Sequence, residues 1–264
     1  MESSVDDESL ILELIKQFRA SVERGIPREM AALMCAAEAE QFVDSLSDPD
    51  FDLPIVEPIG ALALGVSDVH VFGDIAFAQL THSPHNVTTL FFRHEAGRWT
   101  VCADAGEDLS LEQLKDDAWP AMPADATDLM RRVHELRRKP IGGLTEEGVR
   151  CLLQQNEGVD VLLSRALQQL RGNPLAEGDL YPGDLLVAVL GVGREHWWPD
   201  PVAATRIGIV IDKVRDLGDL TEHGAPHEEI WKRITDFLAD QPSNNQQPHR
   251  PTDVGRVAFR PGLT

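Results

Sequence analysis

The chain has 264 residues, of which 42% are hydrophobic, enough for one large domain or two ordinary domains with packed cores. It carries 44 acidic and 24 basic side chains and a formal net charge of −20. This charge argues against binding to nucleic acid or to an anionic membrane, because both require a concentrated basic surface. The acidic start differs from a secretory signal, and no apolar run approaches the roughly 20 residues of a bilayer span. We therefore expect a cytoplasmic protein.

The charge is unevenly distributed along the chain. Residues 1–125 contain 24 acidic and 7 basic side chains, whereas residues 126–264 contain 20 and 17. This asymmetry predicts two separately evolved domains. The acidic half would attract a basic partner, such as a toxin that cleaves nucleic acid. The alternative is that the acidity only keeps the protein soluble.

The first part of the chain predicts helices followed by strands. Apolar residues recur at spacings of three and four in residues 9–24, and an Ala- and Glu-rich segment follows Pro27 in residues 28–46, so both segments predict helices. Short β-prone runs separated by tight turns lie at residues 66–71, 75–80, 87–93 and 99–103. Strands spaced this closely form an antiparallel sheet. We therefore predict an α+β domain over residues 1–106.

Strand signals almost vanish in the second part. Residues 107–127 are acidic and rich in proline, which predicts a linker with one helical turn at residues 109–114. Helical periodicity then recurs at residues 128–138, 145–155, 159–170, 184–190, 201–217 and 228–240. We predict an all-α domain over residues 128–240. The tail, residues 241–264, has little to bury and is predicted to be disordered.

The cysteines and glycines carry no recognisable catalytic pattern. Cys35, Cys102 and Cys151 are far apart in the sequence, which predicts reduced thiols that form neither a disulfide nor a metal-ligand pair. Gly191 and Gly193 are not followed by the third glycine of a dinucleotide fingerprint. The sequence also has no serine elbow and no phosphate-binding loop. We therefore expect no catalytic residue and no cofactor.

The histidines are predicted to lie at the surface rather than to bind a metal. His82, His85 and His94 are close in sequence, but no acidic or Cys ligand completes a recognisable set. His223 and His227 are separated by a glycine and a proline, so no helix can place both rings on one face.

A segment rich in turn residues is the best candidate for recognition. Residues 173–186 read Asn-Pro-Leu-Ala-Glu-Gly-Asp-Leu-Tyr-Pro-Gly-Asp-Leu-Leu and lead into an apolar helix, which Asp184 is placed to cap. Aromatic and acidic groups are typical anchors against a basic partner. The candidate binding residues are Glu177, Asp179, Tyr181, Asp184, Trp197 and Trp198. The alternative is that the aromatic side chains only fill the core.

The same segment resembles a known family. Lys139-Pro140-Ile141, the run from Leu144 to Arg150, and above all Tyr181-Pro182-Gly183-Asp184-Leu185-Leu186 are similar to helical immunity proteins of contact-dependent growth inhibition (CDI) systems. The resemblance covers roughly 100 residues. It implies a non-enzymatic antitoxin that binds and neutralises a cognate toxin. It also implies that Gly183 and Asp184 are mainly structural, and it carries over no toxin-facing residue by position.

The first domain resembles a second family. The runs Val69–Ala76, Leu90–Arg93 and Gly97–Val101, preceded by two helices, are similar to the cystatin-like cone of nuclear-transport-factor-two-like (SnoaL-like) proteins. That fold hosts enzymes, ligand binders and interaction modules, and it often dimerises. The resemblance implies a cone cavity in which His70 and Asp104 could pair. It leaves open a small-molecule binder or enzyme as the alternative function, and a homodimer through this domain.

Overall fold

The computed structural model describes residues 3–46, 65–83, 86–197 and 201–240. These residues form two compact units, of which the first ends at Leu109 and the second begins at Ser110. The first unit has helices followed by an antiparallel sheet, and the second is helical, as the sequence predicted. The predicted tail at residues 241–264 lies outside the described residues. None of the described helices is both long and apolar enough to span a bilayer.

The first unit begins with the helices α1 (Ser3–Arg24), α2 (Pro27–Leu33) and α3 (Ala36–Ser45). The prediction of one continuous helix over residues 28–46 was wrong, because Met34 and Cys35 are extended. Met34 forms a parallel bridge with Val101, and the Cys35 N–H donates to the Val101 carbonyl at 2.9 Å. The break therefore ties the helices to the edge of the sheet.

The sheet contains four antiparallel strands in sequential order, which confirms the prediction from the spaced β-prone runs. The strands are β1 (Gly65–Phe72), β2 (Ile75–Ser83), β3 (Asn86–Glu95) and β4 (Arg98–Val101). Ala76 on β2 pairs with Phe92 on β3, and the next residue, Phe77, pairs with Phe91. Because side chains alternate along a strand, these two pairs lie on opposite faces of the sheet.

Each face of the sheet is covered by a different element. Ala76, Ala78 and Phe92 belong to a core that includes apolar side chains of α1, α2 and α3. On the opposite face, Phe91 packs close to a 3-10 helix at Ala103–Asp108: a Cβ at Gly106 would lie 2.9 Å from the Phe91 ring. The 3-10 helix therefore needs glycine at this position in order to approach the sheet.

The structure corrects the expectation for two of the three cysteines. Cys35 and Cys102 form a disulfide with a Cα–Cα distance of 5.3 Å, whereas Cys151 is a buried free thiol. Cys35 precedes α3 and Cys102 follows β4, and the Cys102 N–H donates to the Phe91 carbonyl at 2.9 Å. The long separation in sequence gave no signal of this pairing, because the sheet brings the two ends together.

The second unit consists almost entirely of helices, and the predicted helices agree with those observed to within two residues. The helices are α4 (Leu111–Lys115), α5 (Asp128–Arg138), α6 (Glu146–Gln154), α7 (Val159–Gly172), α8 (Asp184–Leu190), α9 (Arg194–Trp197), α10 (Pro201–Asp216) and α11 (His227–Ala239). Short 3-10 helices lie at Ile141–Gly143 and Leu220–His223. The sequence patterns missed α9, which is a single turn.

Residues 110–127, expected as part of a linker, lie in the helical unit. Leu111 is fully buried, and its side chain meets the backbone at Gly158, where a Cβ would lie 2.6 Å from a leucine methyl carbon. Ser110 caps α4 with a capping box through Gln113. The Arg137 guanidinium lies 4.0 Å above the Trp119 ring, so an aromatic contact anchors this acidic stretch.

The helical core follows from the apolar stripes of the longer helices. One face of α7 and one face of α10 are buried, and α8 is buried along its whole length. A short helix that is apolar on all sides must be surrounded by others, and α6, α7 and α11 all contact α8. The segment at the start of α8 therefore sits on the centre of this unit.

Candidate binding surface

The connection between α7 and α8 is a folded loop, and several of its backbone hydrogen bonds join residues of the loop to one another. We call residues 173–183 the 173–183 loop. Asn173 accepts hydrogen bonds from the N–H groups of Leu175 and Ala176. The Gly183 N–H donates to the Leu175 carbonyl at 3.2 Å, and an antiparallel bridge joins Glu177 to Pro182. The loop therefore closes on itself as a small hairpin.

A buried carboxylate holds the centre of the loop from below. Asp184, at the start of α8, is 1% exposed. Its Oδ1 accepts the Gly178 N–H at 2.7 Å, and its Oδ2 accepts the Leu180 N–H at 3.1 Å. The sequence predicted a helix cap at this position, but the side chain reaches back to the loop and fixes two of its backbone groups.

A second buried carboxylate acts on the same loop. Glu147 on α6 accepts the Asp179 N–H at 3.0 Å. It also forms two hydrogen bonds with the Arg150 guanidinium, at 2.5 and 2.7 Å, and Arg150 lies 3.6 Å from Asp184. Because the Arg150 guanidinium donates to it, the pKa of Glu147 is lowered. The carboxylate is therefore held ionised under the loop, in the paired state that a buried charge requires.

The close approach of the loop to these carboxylates requires a glycine. A Cβ at Gly178 would lie 2.6 Å from a Glu147 carboxylate oxygen and 3.0 Å from Oδ2 of Asp184. Gly183 has a φ of +93°, and a Cβ there would lie 2.7 Å from Cδ1 of Ile230. Both glycines therefore fix the path of the loop over the charged groups.

The loop presents an apolar side chain among acidic ones. Leu180 is 60% exposed, the most exposed of the large hydrophobic residues that the structure describes. Glu177 and Asp179, on either side of Gly178, are also exposed. Arg132 on α5 contacts Asp179 at 2.9 Å and Glu147 at 3.1 Å, so part of the acidity is neutralised. The result is an apolar tip on a fixed backbone, with an acidic rim.

Tyr181 lies at the edge of this surface. Its hydroxyl donates to Glu229 on α11 at 3.0 Å. Partial burial and the neighbouring Glu229 raise the pKa of Tyr181 to about 12. The phenol is therefore a hydrogen-bond donor at neutral pH, already paired with a carboxylate.

The six residues predicted from the sequence fall into three groups. Glu177 and Asp179 are exposed on the loop, and Tyr181 is half-buried beside them. Asp184 and Trp197 are buried, and the Trp197 indole N–H donates to the Val192 carbonyl at 3.2 Å. Asp184 and Trp197 therefore stabilise the fold beneath the surface and are not themselves available for contact with a partner. Trp198 lies outside the described residues.

Sequence reasoning missed Leu180 and the pair Glu147–Arg150. Leu180 lies in the turn-rich segment 173–186, between Asp179 and Tyr181, and a leucine flanked by turn residues is an available signal for an exposed apolar tip. The sequence places Glu147 in the predicted helix over residues 145–155 and assigns it no contact with the loop. Its contact with the loop joins positions 32 residues apart, which no local pattern reveals.

A groove lies on another side of α5. It has a volume of about 480 Å³ and is lined mainly by apolar side chains, including Trp119, Met122, Leu129, Met130 and Val133. Leu129 and Met130 are 47% and 46% exposed. Exposed apolar surface of this kind is typical of interaction sites. The groove is a second candidate contact surface of the helical unit.

The alternative site in the first unit has a different geometry from the one expected. His70 stacks on Phe77 with ring centroids 4.7 Å apart, whereas Asp104 is exposed on the 3-10 helix. Within the described residues, no hydrogen bond or ion pair joins His70 to Asp104. Phe77, Phe92 and Trp99 are buried, with Phe77 on one face of the sheet and the other two in the core with α1.

No cluster of histidines with metal-ligand spacing is found in the part of the chain that the structure describes. His94 is exposed and meets the Trp99 ring edge-on at 5.2 Å, and the Leu220 N–H donates to Nδ1 of His227 at 3.2 Å. His223 is exposed in a 3-10 helix, and His85 lies outside the described residues. Among the residues that the structure describes, one group has metal-ligand spacing, and it contains no histidine: Cys35, Glu38 and Cys102.

The helical unit, with its loop and groove, can be compared with known proteins. Residues 113–207 match the family model of the CDI immunity proteins. This stretch contains α5 to α9, the 173–183 loop and the carboxylates beneath it, and the residues that line the groove. It also agrees with the resemblance seen in the sequence. The match does not extend to the α+β unit. No curated protein and no solved structure matches the chain.

Proposed function

We propose that this chain is an immunity protein that binds a cognate toxin and blocks it by occlusion, with the 173–183 loop as part of the contact surface. The observation that carries the proposal is the match of residues 113–207 to the CDI immunity proteins, because it covers the loop together with its buried supports. The proposal gives the chain no catalytic activity.

The geometry of the loop supports a binding role. A contact surface gains affinity when its backbone is ordered before the partner arrives, since less conformational entropy is lost on binding. Asp184 and Glu147 fix three consecutive N–H groups, from Gly178 to Leu180. Leu180 is therefore presented in one place, where an apolar pocket of a toxin could cover it.

The test is a binding measurement between the full chain and the toxin encoded by the neighbouring gene. We expect a stoichiometric complex, and protection of cells that express both proteins. Leu180→Asp should weaken the complex by about tenfold or more, since hot-spot residues contribute roughly 2 kcal/mol or more. The matched control is Leu238→Asp, because Leu238 is an exposed leucine of the same unit, at 40% exposure on α11.

The outcomes separate the parts of the proposal. Absence of both complex and protection contradicts the immunity function. A complex that is insensitive to Leu180→Asp but weakened by Met130→Asp assigns the contact to the groove and removes the loop from it. Equal weakening by Leu180→Asp and Leu238→Asp would show that added acidity, rather than the position in the loop, lowers the affinity.

The acidity of the first half supports a basic toxin. Residues 1–125 carry 24 acidic against 7 basic side chains, and such a field accelerates the encounter with a positively charged partner. We expect the association rate to fall as salt is raised through the range in which the Debye length shortens to about 8 Å. An association rate that does not change with salt would contradict electrostatic steering, but it would not contradict the immunity function.

The role of the first unit stays a prediction. A nuclear-transport-factor-two-like cone, and a homodimer formed through it, rest on the sequence resemblance. Binding of a small molecule in a cone cavity is less well supported than the immunity function. Phe77 is buried on one face of the sheet, and Phe92 and Trp99 are packed on the other. A chain without residues 1–106 that still protects cells would assign the immunity function to the helical unit.

A further inference from the structure

The ends of α3 and of β4 bring together three side chains that are typical metal ligands. Cys35, Glu38 and Cys102 are all buried, and their Sγ and carboxylate oxygen atoms lie within 4.8 Å of one another. Zinc binds thiolate sulfur at about 2.3 Å and carboxylate oxygen at about 2.0–2.2 Å. Tetrahedral ligands at those lengths lie roughly 3.5–3.8 Å apart, so the three side chains can hold one ion once the bond between the two sulfurs is broken and the sulfurs have moved apart by side-chain rotation.

Glu38 is a buried carboxyl group without an ion-pair partner among the described residues. It is 1% exposed, and burial raises its pKa. It accepts the Asp104 N–H at 2.8 Å, but no lysine, arginine or histidine in the described ranges forms an ion pair with it. Arg93, the nearby arginine, is paired with Asp108 at 2.6 Å. A buried carboxyl group of this kind stays neutral, is paired with an opposite charge or coordinates a metal, and the nearby Arg93 already has Asp108 as its ion-pair partner.

The two sulfurs are held in place by the backbone rather than by their bond alone. Cys35 donates its N–H to the Val101 carbonyl, and Cys102 donates its N–H to the Phe91 carbonyl, both at 2.9 Å. Cys35 also precedes the 10-residue helix α3, whose N-terminus favours negative charge. The pair would therefore remain together after the Sγ–Sγ bond is broken, and at least one thiolate would be stabilised.

We propose that Cys35, Cys102 and Glu38 form a zinc site in the reduced protein, which is replaced by the Cys35–Cys102 disulfide in the oxidised protein. A dithiol reductant opens the site: its two sulfurs become a disulfide, the Sγ–Sγ bond breaks, and Cys35 and Cys102 take up one proton each. Zinc then binds both sulfurs as thiolates, and the two thiol protons pass to solvent. Glu38 supplies its carboxylate as the third ligand.

The experiment measures zinc binding by the full chain in its two redox states. The protein is reduced with a dithiol, separated from it under inert gas, and titrated with Zn²⁺ against a chromogenic chelator. We expect one equivalent bound by the reduced chain and none at this site in the oxidised chain. Cobalt added in place of zinc should give a thiolate-to-cobalt charge-transfer band. A reduced wild-type chain that retains no zinc overturns the proposal.

Variants assign the ligands. Cys35→Ser and Cys102→Ser should each weaken zinc binding by about 100-fold or more, and Glu38→Gln by about tenfold or more. Substitution of residues that only support the ligands already lowers metal affinity by roughly 10- to 100-fold, so loss of a ligand should cost at least as much. The matched control is Cys151→Ser, which removes the other buried cysteine and should leave zinc binding unchanged. Unchanged binding in both Cys35→Ser and Cys102→Ser would overturn the proposal.

A measurement on the wild-type chain covers the case in which the serine variants fail to fold. Zinc should slow the alkylation of Cys35 and Cys102 in the reduced chain, as followed by mass spectrometry of the peptides, and should leave the rate at Cys151 unchanged. Equal alkylation of Cys35 and Cys102 with and without zinc excludes them as ligands.

Discussion

Replacing Asp184 by asparagine removes one acceptor from beneath the 173–183 loop while keeping the size of the side chain. The carboxylate uses both oxygens, one for the Gly178 N–H at 2.7 Å and one for the Leu180 N–H at 3.1 Å. An amide offers only one oxygen, and its NH₂ group would face the other N–H donor. One partly buried backbone N–H then loses its acceptor.

The expected loss of stability follows from these contacts. An unsatisfied buried donor costs about 1–3 kcal/mol, and a hydrogen bond to a charged group contributes about 1.5–3 kcal/mol. Arg150, which lies 3.6 Å from Asp184, keeps Glu147 as its partner, so no cation is left unpaired. We therefore expect Asp184→Asn to lower the free energy of unfolding of the helical unit by about 2–4 kcal/mol.

Urea unfolding followed by tryptophan fluorescence measures this change. Four of the five tryptophans, Trp119, Trp197, Trp198 and Trp231, follow Ser110 in the sequence, so the signal reports mainly on the second unit. At an m value of roughly 1–3 kcal/mol/M, the midpoint should fall by about 1–3 M. Hydrogen exchange should also show faster exchange of the Gly178 and Leu180 amides.

The matched control is Asp179→Asn in the same loop. Asp179 pairs with Arg132 at 2.9 Å, but its side chain is 60% exposed and the arginine side chain 46%. Exposed ion pairs contribute about 0–1 kcal/mol, so this variant should unfold almost like the wild type. If Asp184→Asn loses less than about 1 kcal/mol and its two amides stay protected, the buried carboxylate does not order the loop.

The remaining predictions concern titration of single groups. The lowered pKa of Glu147 means that its stabilisation is present above its unfolded pKa, about 4.3, and is lost as the pH falls through the lower folded value. The helical unit should therefore lose stability below about pH 4.3 more steeply in the wild type than in Glu147→Gln, and parallel curves would contradict this. Tyr181 is the only tyrosine, so its absorbance titration should have a midpoint of about 12. In urea the midpoint should return to about 10. A midpoint of about 10 in the folded protein would contradict the hydrogen bond from Tyr181 to Glu229.

The sequence by itself determined the type and order of most elements, apart from the break between α2 and α3 and the single-turn helix α9. Short β-prone runs separated by tight turns predicted the four strands. Apolar spacings of three and four predicted the long helices α7 and α10, since such spacings place side chains on one helix face. The motif at Tyr181–Leu186 also led to the immunity family. Each of these signals is local, so the chain carries it without its fold.

Only the tertiary structure decided which distant residues share one environment. Glu147 and Asp184 meet under the 173–183 loop because α6 and α8 pack together. Cys35 and Cys102 meet because the break after α2 pairs with β4 at Val101. The same packing buries Asp184 and leaves Leu180 exposed, although the two residues are only four positions apart. Burial depends on what the rest of the chain places against a residue, and sequence spacing does not contain that information.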